Sequence, residues 1–173
     1  MNAPFKLATA ECESFDAVLH GANCWRGQCI QQFADLELTI ADALDCLAKA
    51  KPTMKIKRGE PIRPAFDELK RLTGAKSAFG KSTRAVAKSL DEIDRLIEWR
   101  AHLTHGVLGV WRGNRGQWLL TLQHREPGGD RPVRTYALPR KEADQILERL
   151  TEELDMLRAR VGSMRGAVVQ KAA

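Results

Sequence analysis

The most regular apolar pattern in the chain lies between Phe79 and Gly106, where Val86, Leu90, Ile93 and Ile97 recur at steps of four, three and four. That spacing keeps one face of an α-helix apolar at about 3.6 residues per turn. The face has to be covered by other elements, so a packed helical arrangement is the starting constraint. The next position in the progression is Arg100, with Leu96 and Leu103 beside it. A guanidinium therefore sits where the packing pattern asks for a hydrophobe. His105 and Gly106 follow, a cation and a glycine where the helix is expected to stop.

Partners for this face are legible on both sides. From Ser14 to Ala50, Phe15, Val18, Trp25, Cys29, Phe33, Leu36, Ile40, Ala43 and Leu47 keep a helical period, with Gly21 and Gly27 as points where it could divide into two helices. A basic loop over 51–62 is punctuated by Pro52, Gly59 and Pro61, and a short helix over 63–73 ends at Gly74. Ser82 or Thr83 is available to cap the helix after it. After Gly106 the period changes from 3.6 to 2. Strands are expected over 107–112, 117–125 and 133–138, with turns at GNRG (113–116) and PGGD (127–130). Pro139 suits the first turn of a last helix, whose seam is Ala143, Leu147, Leu150, Leu154, Leu157 and Val161. That seam suits packing in the bundle or against a second copy. The expected fold is mainly α: a helical bundle with a small three-stranded antiparallel β-meander over 107–138, inserted before the last helix. Residues 1–13 read as a flexible leader, 14–162 as one domain and 163–173 as a frayed tail.

A chain of 173 residues can bury a core without covalent staples. No apolar run reaches the ~20 residues of a membrane span, and the N-terminus lacks a signal-peptide core, so a cytoplasmic location is expected. Cys12, Cys24, Cys29 and Cys46 form no CxxC pair and read as buried reduced thiols. The net charge of +6 is unevenly placed: Lys51–Leu90 holds eleven basic and three acidic residues. Such a segment either attracts a polyanion or forms a solvated helical surface.

Four constellations carry candidate chemistry. Metal-free RNA cleavage needs a base, an acid and a cation on the phosphate. Histidine and arginine are the residue types for those roles, and Arg100, His102 and His105 stand together at the end of the best helix. Gly74–Ser82 approximates a phosphate loop but has five residues between its glycines instead of four, and no strand leads into it. Asp91, Glu92, Asp94 and Glu98 crowd the helix before Arg100, as a solvated face or as acid–base groups. Trp111, Trp118 and Tyr136 lie among Arg112, Arg115, Arg125, Arg131 and Arg134, as core or as a base-stacking surface.

Arg100-Ala-His-Leu-Thr-His105 reads as Arg-x4-His. With the amphipathic helix before it and the β insertion and long helix after it, this resembles the HEPN superfamily (higher eukaryotes and prokaryotes nucleotide-binding). Its members are helical bundles, many of them metal-independent ribonucleases. The resemblance implies an endoribonuclease, toxin- or defence-related, working as a homodimer with a cognate antitoxin and without cofactor or metal. Arg100 would grip the scissile phosphate and His105 would transfer the proton. His102 and Glu98 would support them, and Arg95, Thr104, Lys81 and Arg84 would contact RNA. Ala101 departs from the polar residue common after that arginine. This favours the rival reading, a catalytically silent module that dimerises and binds protein or nucleic acid. In that reading Arg100 pairs with an acid of the first helix such as Asp42 or Asp45.

Overall fold

Ser14 opens the first helix, its Oγ accepting a hydrogen bond from the Ala17 amide at 3.2 Å. The computed structural model describes residues 14–53, 55–56, 62–75, 77, 79, 83–112, 117–125 and 133–172. The leader over 1–13 and the turns at 113–116 and 127–130 lie outside the described residues. Helix α1 (Phe15–Ala50) runs unbroken for 36 residues. Gly21 and Gly27 do not divide it. A Cβ at either would meet nothing within 4 Å; Gly27 lies opposite the buried stripe Trp25, Cys29, Phe33, Leu36 and Ile40, and Gly21 at its flank.

Helix α2 (Ile62–Thr73) buries Phe66, Leu69 and Leu72. It runs antiparallel to α3 (Arg84–Asp94) and is clamped to it by charge. Arg63 meets Asp94 at 2.8 Å, and Lys70 meets Asp91 at 2.9 Å and Asp94 at 3.0 Å. Two of the crowded carboxylates, Asp91 and Asp94, thus join α2 to α3, and part of the basic segment is spent inside the fold. The hydrogen bond from Lys70 is the main reason the Asp94 carboxyl is held below its ordinary range, with Arg63 adding to it. Thr83 stands at the start of α3 without a side-chain cap. Its hydroxyl instead donates toward Thr73 O at 3.4 Å and Ser77 Oγ at 3.1 Å.

The expected helix over 79–106 is two helices. After Asp94 the ladder tightens: Leu96 N donates to Ile93 O at 2.8 Å, Trp99 N to Leu96 O at 3.0 Å and Arg100 N to Ile97 O at 3.2 Å. These i→i+3 bonds form one tight turn before α4 (Glu98–His105). The apolar stripe survives, with Val86, Leu90 and Ile93 fully buried, and the turn also buries the adjacent pair Leu96 and Ile97.

The sheet has the order β1-β2-β3, all antiparallel, with β1 Val107–Arg112, β2 Trp118–Arg125 and β3 Val133–Pro139. Its inner face presents Leu108 and Val110, then Leu120, Leu122 and His124, then Tyr136 and Leu138 to α1, α4 and α5. Helix α5 (Arg140–Ala172) lies parallel to α1. Trp25 Nε1 donates to Ala143 O at 2.8 Å, Asp35 pairs with Arg158 at 2.8 Å and Asp42 with Arg165 at 3.5 Å. Arg160 donates to buried Ser89 of α3 at 2.6 Å. The helix does not fade at Gly162. Met164 and Val168 continue the seam of Leu150, Leu154, Leu157 and Val161 and are buried with it, while Gly162 and Gly166 face open space. Apart from half-buried Leu147, the seam is buried within one chain.

Replacing Gly27 with Ala should raise stability by about 1 kcal/mol, read as a melting temperature ~2–4 °C higher. The Asp94 pairing contributes above the ordinary carboxylate pKa of about 3.9 and is lost as pH falls through the lowered folded value. Asp94→Asn should therefore cost about 0.5–1 kcal/mol at pH 7. In thermal melts below pH 4 the gap to wild type should close.

Candidate functional site

Helix α4 has eight residues, too few to hold itself together in water. Two α1 side chains fix it. At its start Glu37 Oε1 accepts from Arg100 Nε at 2.9 Å and Nη2 at 2.7 Å. At its end Arg26 Nε donates to Leu103 O at 2.6 Å, with Nη2 at 3.4 Å from Thr104 O. The carbonyls of a last helical turn lack intrahelical partners and carry partial negative charge, so a guanidinium there satisfies both needs. Arg26 and Glu37 are eleven residues apart, about three turns, and lie on one side of α1.

Gly106 ends α4 with φ −77° and ψ 149°, an extended conformation open to any residue. Glycine is required by space: a Cβ there would stand 2.2 Å from His102 O and 3.3 Å from Gln123 O. The chain turns into β1 hard against the helix it has just left.

Behind α4 sits a cluster of rings. His102 is 9% exposed, with its ring centroid 4.5 Å from Tyr136, 5.2 Å from His124 and 6.1 Å from Trp99. His124 is 7% exposed, and among the described residues its Nδ1 has no hydrogen-bond partner. The exposed His105 ring lies 6.3 Å from His124 at an interplanar angle of 29°. His124 escaped the sequence reading although the alternation Leu120, Leu122, His124 places it on the inner face of β2. Arg26 carried no local signal, since its partners are 77 and 78 residues away.

The eight expected site residues do not converge. Arg100 is turned to α1 and pairs with Glu37, not with Asp42 or Asp45. His105 is turned to β2. His102 is enclosed by rings. Glu98 is exposed and has no hydrogen bond or ion pair among the described residues. Thr104 Oγ1 donates to Arg100 O at 2.7 Å. Arg95 is exposed in the tight turn, 3.7 Å from Glu92. Arg84 opens α3, separated from α4 by the whole length of that helix, roughly 16 Å. Lys81 lies outside the described residues. Residues five apart on a helix point about 140° apart, and α4 runs unbroken from Arg100 to His105, so nothing offsets that angle.

The other constellations resolve similarly. All three strands follow 74–82 in sequence and are antiparallel, so the strand that a phosphate loop needs is absent among the described residues. Burial pushes the Cys29 thiol up to about 12, leaving it inert. Cys46 is half-buried, and Cys24 is exposed beside His20 at 3.5 Å, so the thiols are not uniformly buried; Cys12 lies outside the described residues. No group of three or more His, Cys, Asp or Glu is placed to hold a metal among the described residues. None of the described helices is long and apolar enough to cross a membrane. A groove of ≈ 590 Å³ runs between the tight turn and α5, floored by Leu96, Trp99, Leu138 and Ile146. Its rim mixes Arg95 and Arg149 with three glutamates of α5, so it selects neither sign of charge.

Comparison with models of protein families, with characterised proteins and with solved structures finds no match to this chain.

Arg26→Ala should cost about 1.5–2 kcal/mol, the range of a hydrogen bond from a charged donor. Arg26→Lys, which keeps the charge but loses the fork, should recover only part of this. Urea melts of the three proteins check both.

Proposed function

We propose that this chain is a catalytically silent helical module that binds nucleic acid, and that Arg100 and His105 serve the fold instead of a reaction. One observation carries the reading. The Arg100 fork is closed on Glu37 of α1, whereas His105 lies against His124 of β2. A phosphate gripped by Arg100 would have to displace a carboxylate, and it would then sit on a different side of α4 from the group that moves the proton. The net charge of +6 supports an anionic partner. The clamp to α3 occupies Arg63 and Lys70, but Lys49, Arg84 and Lys88 are exposed and form no ion pair among the described residues.

The endoribonuclease reading keeps one supporting observation. The Arg100 side chain is 33% exposed and His105 is open to solvent, so a second copy of the chain has access to both. The two readings separate in one assay. Purified wild type, Arg100→Ala and His105→Ala are incubated with mixed cellular RNA in EDTA. Under the proposal none of the three cleaves, and Arg100→Ala melts about 0.5–1 kcal/mol below wild type for the lost Glu37 pair. Cleavage by wild type that is lost in both folded variants would instead establish the nuclease.

A further inference from the structure

Six large hydrophobic side chains stand exposed among the described residues: Phe15, Leu38, Val107, Trp111, Val133 and Met156. Three of them, Val107, Trp111 and Val133, share one place, the outer face of the sheet. The register sets the rows of that face. Trp111 lies opposite Leu119 and then Pro139; Gly109 opposite Thr121 and Ala137; Val107 opposite Gln123 and Thr135; Arg125 opposite Val133. Side chains alternate along a strand, so these residues share the side away from the helices.

Trp111 is the centre of the patch. It is 64% exposed, so core packing does not account for it, whereas Trp118 and Tyr136 are half-buried on the inner face. The indole folds back over Gly109. A Cβ on that glycine would stand 3.5 Å from Trp111 Nε1 and 2.7 Å from Thr121 Oγ1. Glycine at this position leaves room for the Nε1 edge of the indole, while the ring as a whole stays open to solvent. The row of Trp111 holds Leu119 and Pro139; Thr121 lies in the next row, Gln123 and Thr135 about 13 Å along the face, and the exposed cation Arg125 about 20 Å along it, at the end of the central strand. Of the arginines in the three strands, Arg125 is on this face, while Arg112 and Arg134 alternate to the other, and none of the strands contains an aspartate or glutamate.

We propose that the outer face of the sheet is a seat for single-stranded nucleic acid, with a base stacked on Trp111 and a phosphate held by Arg125. This rests on the nucleic-acid reading above and names the surface and the form of the ligand. A solvent-exposed indole offers a stacking surface to any base that is not already stacked. Thr121, Gln123 and Thr135 then meet base edges and sugar hydroxyls. Six residues of β2 separate the Trp111–Leu119 row from Arg125, about 20 Å at ~3.3 Å per residue, room for about three nucleotides along the face. A duplex keeps its bases inside the stack, and among the described residues of this face Arg125 is the one cation left to hold it.

The test is fluorescence anisotropy with a labelled oligouridine and, separately, a labelled duplex of equal length, at two salt concentrations. Wild type should bind the single strand in preference to the duplex. Trp111→Ala should weaken binding about tenfold or more, and Trp111→Phe should retain most of it. Arg125→Ala should lower the salt slope by about one. Leu38→Ala, which removes an equally exposed side chain from α1, should change nothing. Thermal melts check that all variants fold. Equal binding by wild type and Trp111→Ala overturns the seat while leaving the broader reading in place, as does equal binding of duplex and single strand. If wild type binds neither probe, both fall. If, in addition, Trp111→Ala splits a wild-type dimer in sedimentation, the face is an interface between copies of this chain.

Discussion

The two long helices of this protein run side by side in the same direction, and that arrangement dictates the rest. Parallel neighbours cannot be joined by a tight turn. After α1 ends, the chain has to travel back along it, roughly 38 Å from Ala50 at 1.5 Å per residue, before α5 can start beside Trp25. Residues 51–139 make that return. Lys51 lies over the Phe79 ring at 5.2 Å at one end of the bundle, and Phe15 meets Trp118 with ring centroids 6.0 Å apart at the other. Helix α3 descends along α5, α4 continues along α1, and the sheet closes the lower end. The tight turn after Asp94 is where the descending chain transfers from one long helix to the other.

This explains why α4 carries so many polar side chains for so short a helix. It cannot stand on its own hydrogen bonds, and only His102 and Leu103 of its residues are buried. Its position is set by charge and by space: Glu37 at one end, Arg26 at the other, and Gly106 pressed against the His102 carbonyl. An arginine five residues before a histidine serves such a junction as readily as it serves a phosphoryl-transfer site. The local letters do not distinguish the two uses. What separates them is the direction of each side chain: Arg100 is turned to Glu37 of α1, and the exposed His105 ring lies beside His124 of β2.

Much of the architecture was legible because it rests on periodicity. The stripes on α1, α3 and α5 and the change of period after Gly106 follow from burial alone, and they yield the helical bundle with its inserted meander. The tight turn at 95–97 was not legible, because Leu96 and Ile97 satisfy a helical pattern equally well on either side of it. The extension of α5 past Gly162 was hidden by glycines on its solvent side, although Met164 and Val168 keep the step. Contacts between distant segments were the least accessible. Asp42, Asp45 and Glu37 all lie on α1 within reach of the same argument, and only the registry of the helices selects Glu37. His124 and Arg26 show both sides: the first sat in a readable alternation, the second in none.

Parallel α1 and α5 also fix where the chain is exposed to joining and cutting. Phe15 lies at the sheet end of the bundle and Ala172 at the opposite end, beyond the level of the Asp42–Arg165 pair. The two positions are separated by about the length of α5, some 50 Å. A covalent connection between them would need on the order of fifteen extended residues. Two domains fused at Phe15 and Ala172 would be held apart like weights on a rod, with the three-stranded sheet beside one of them.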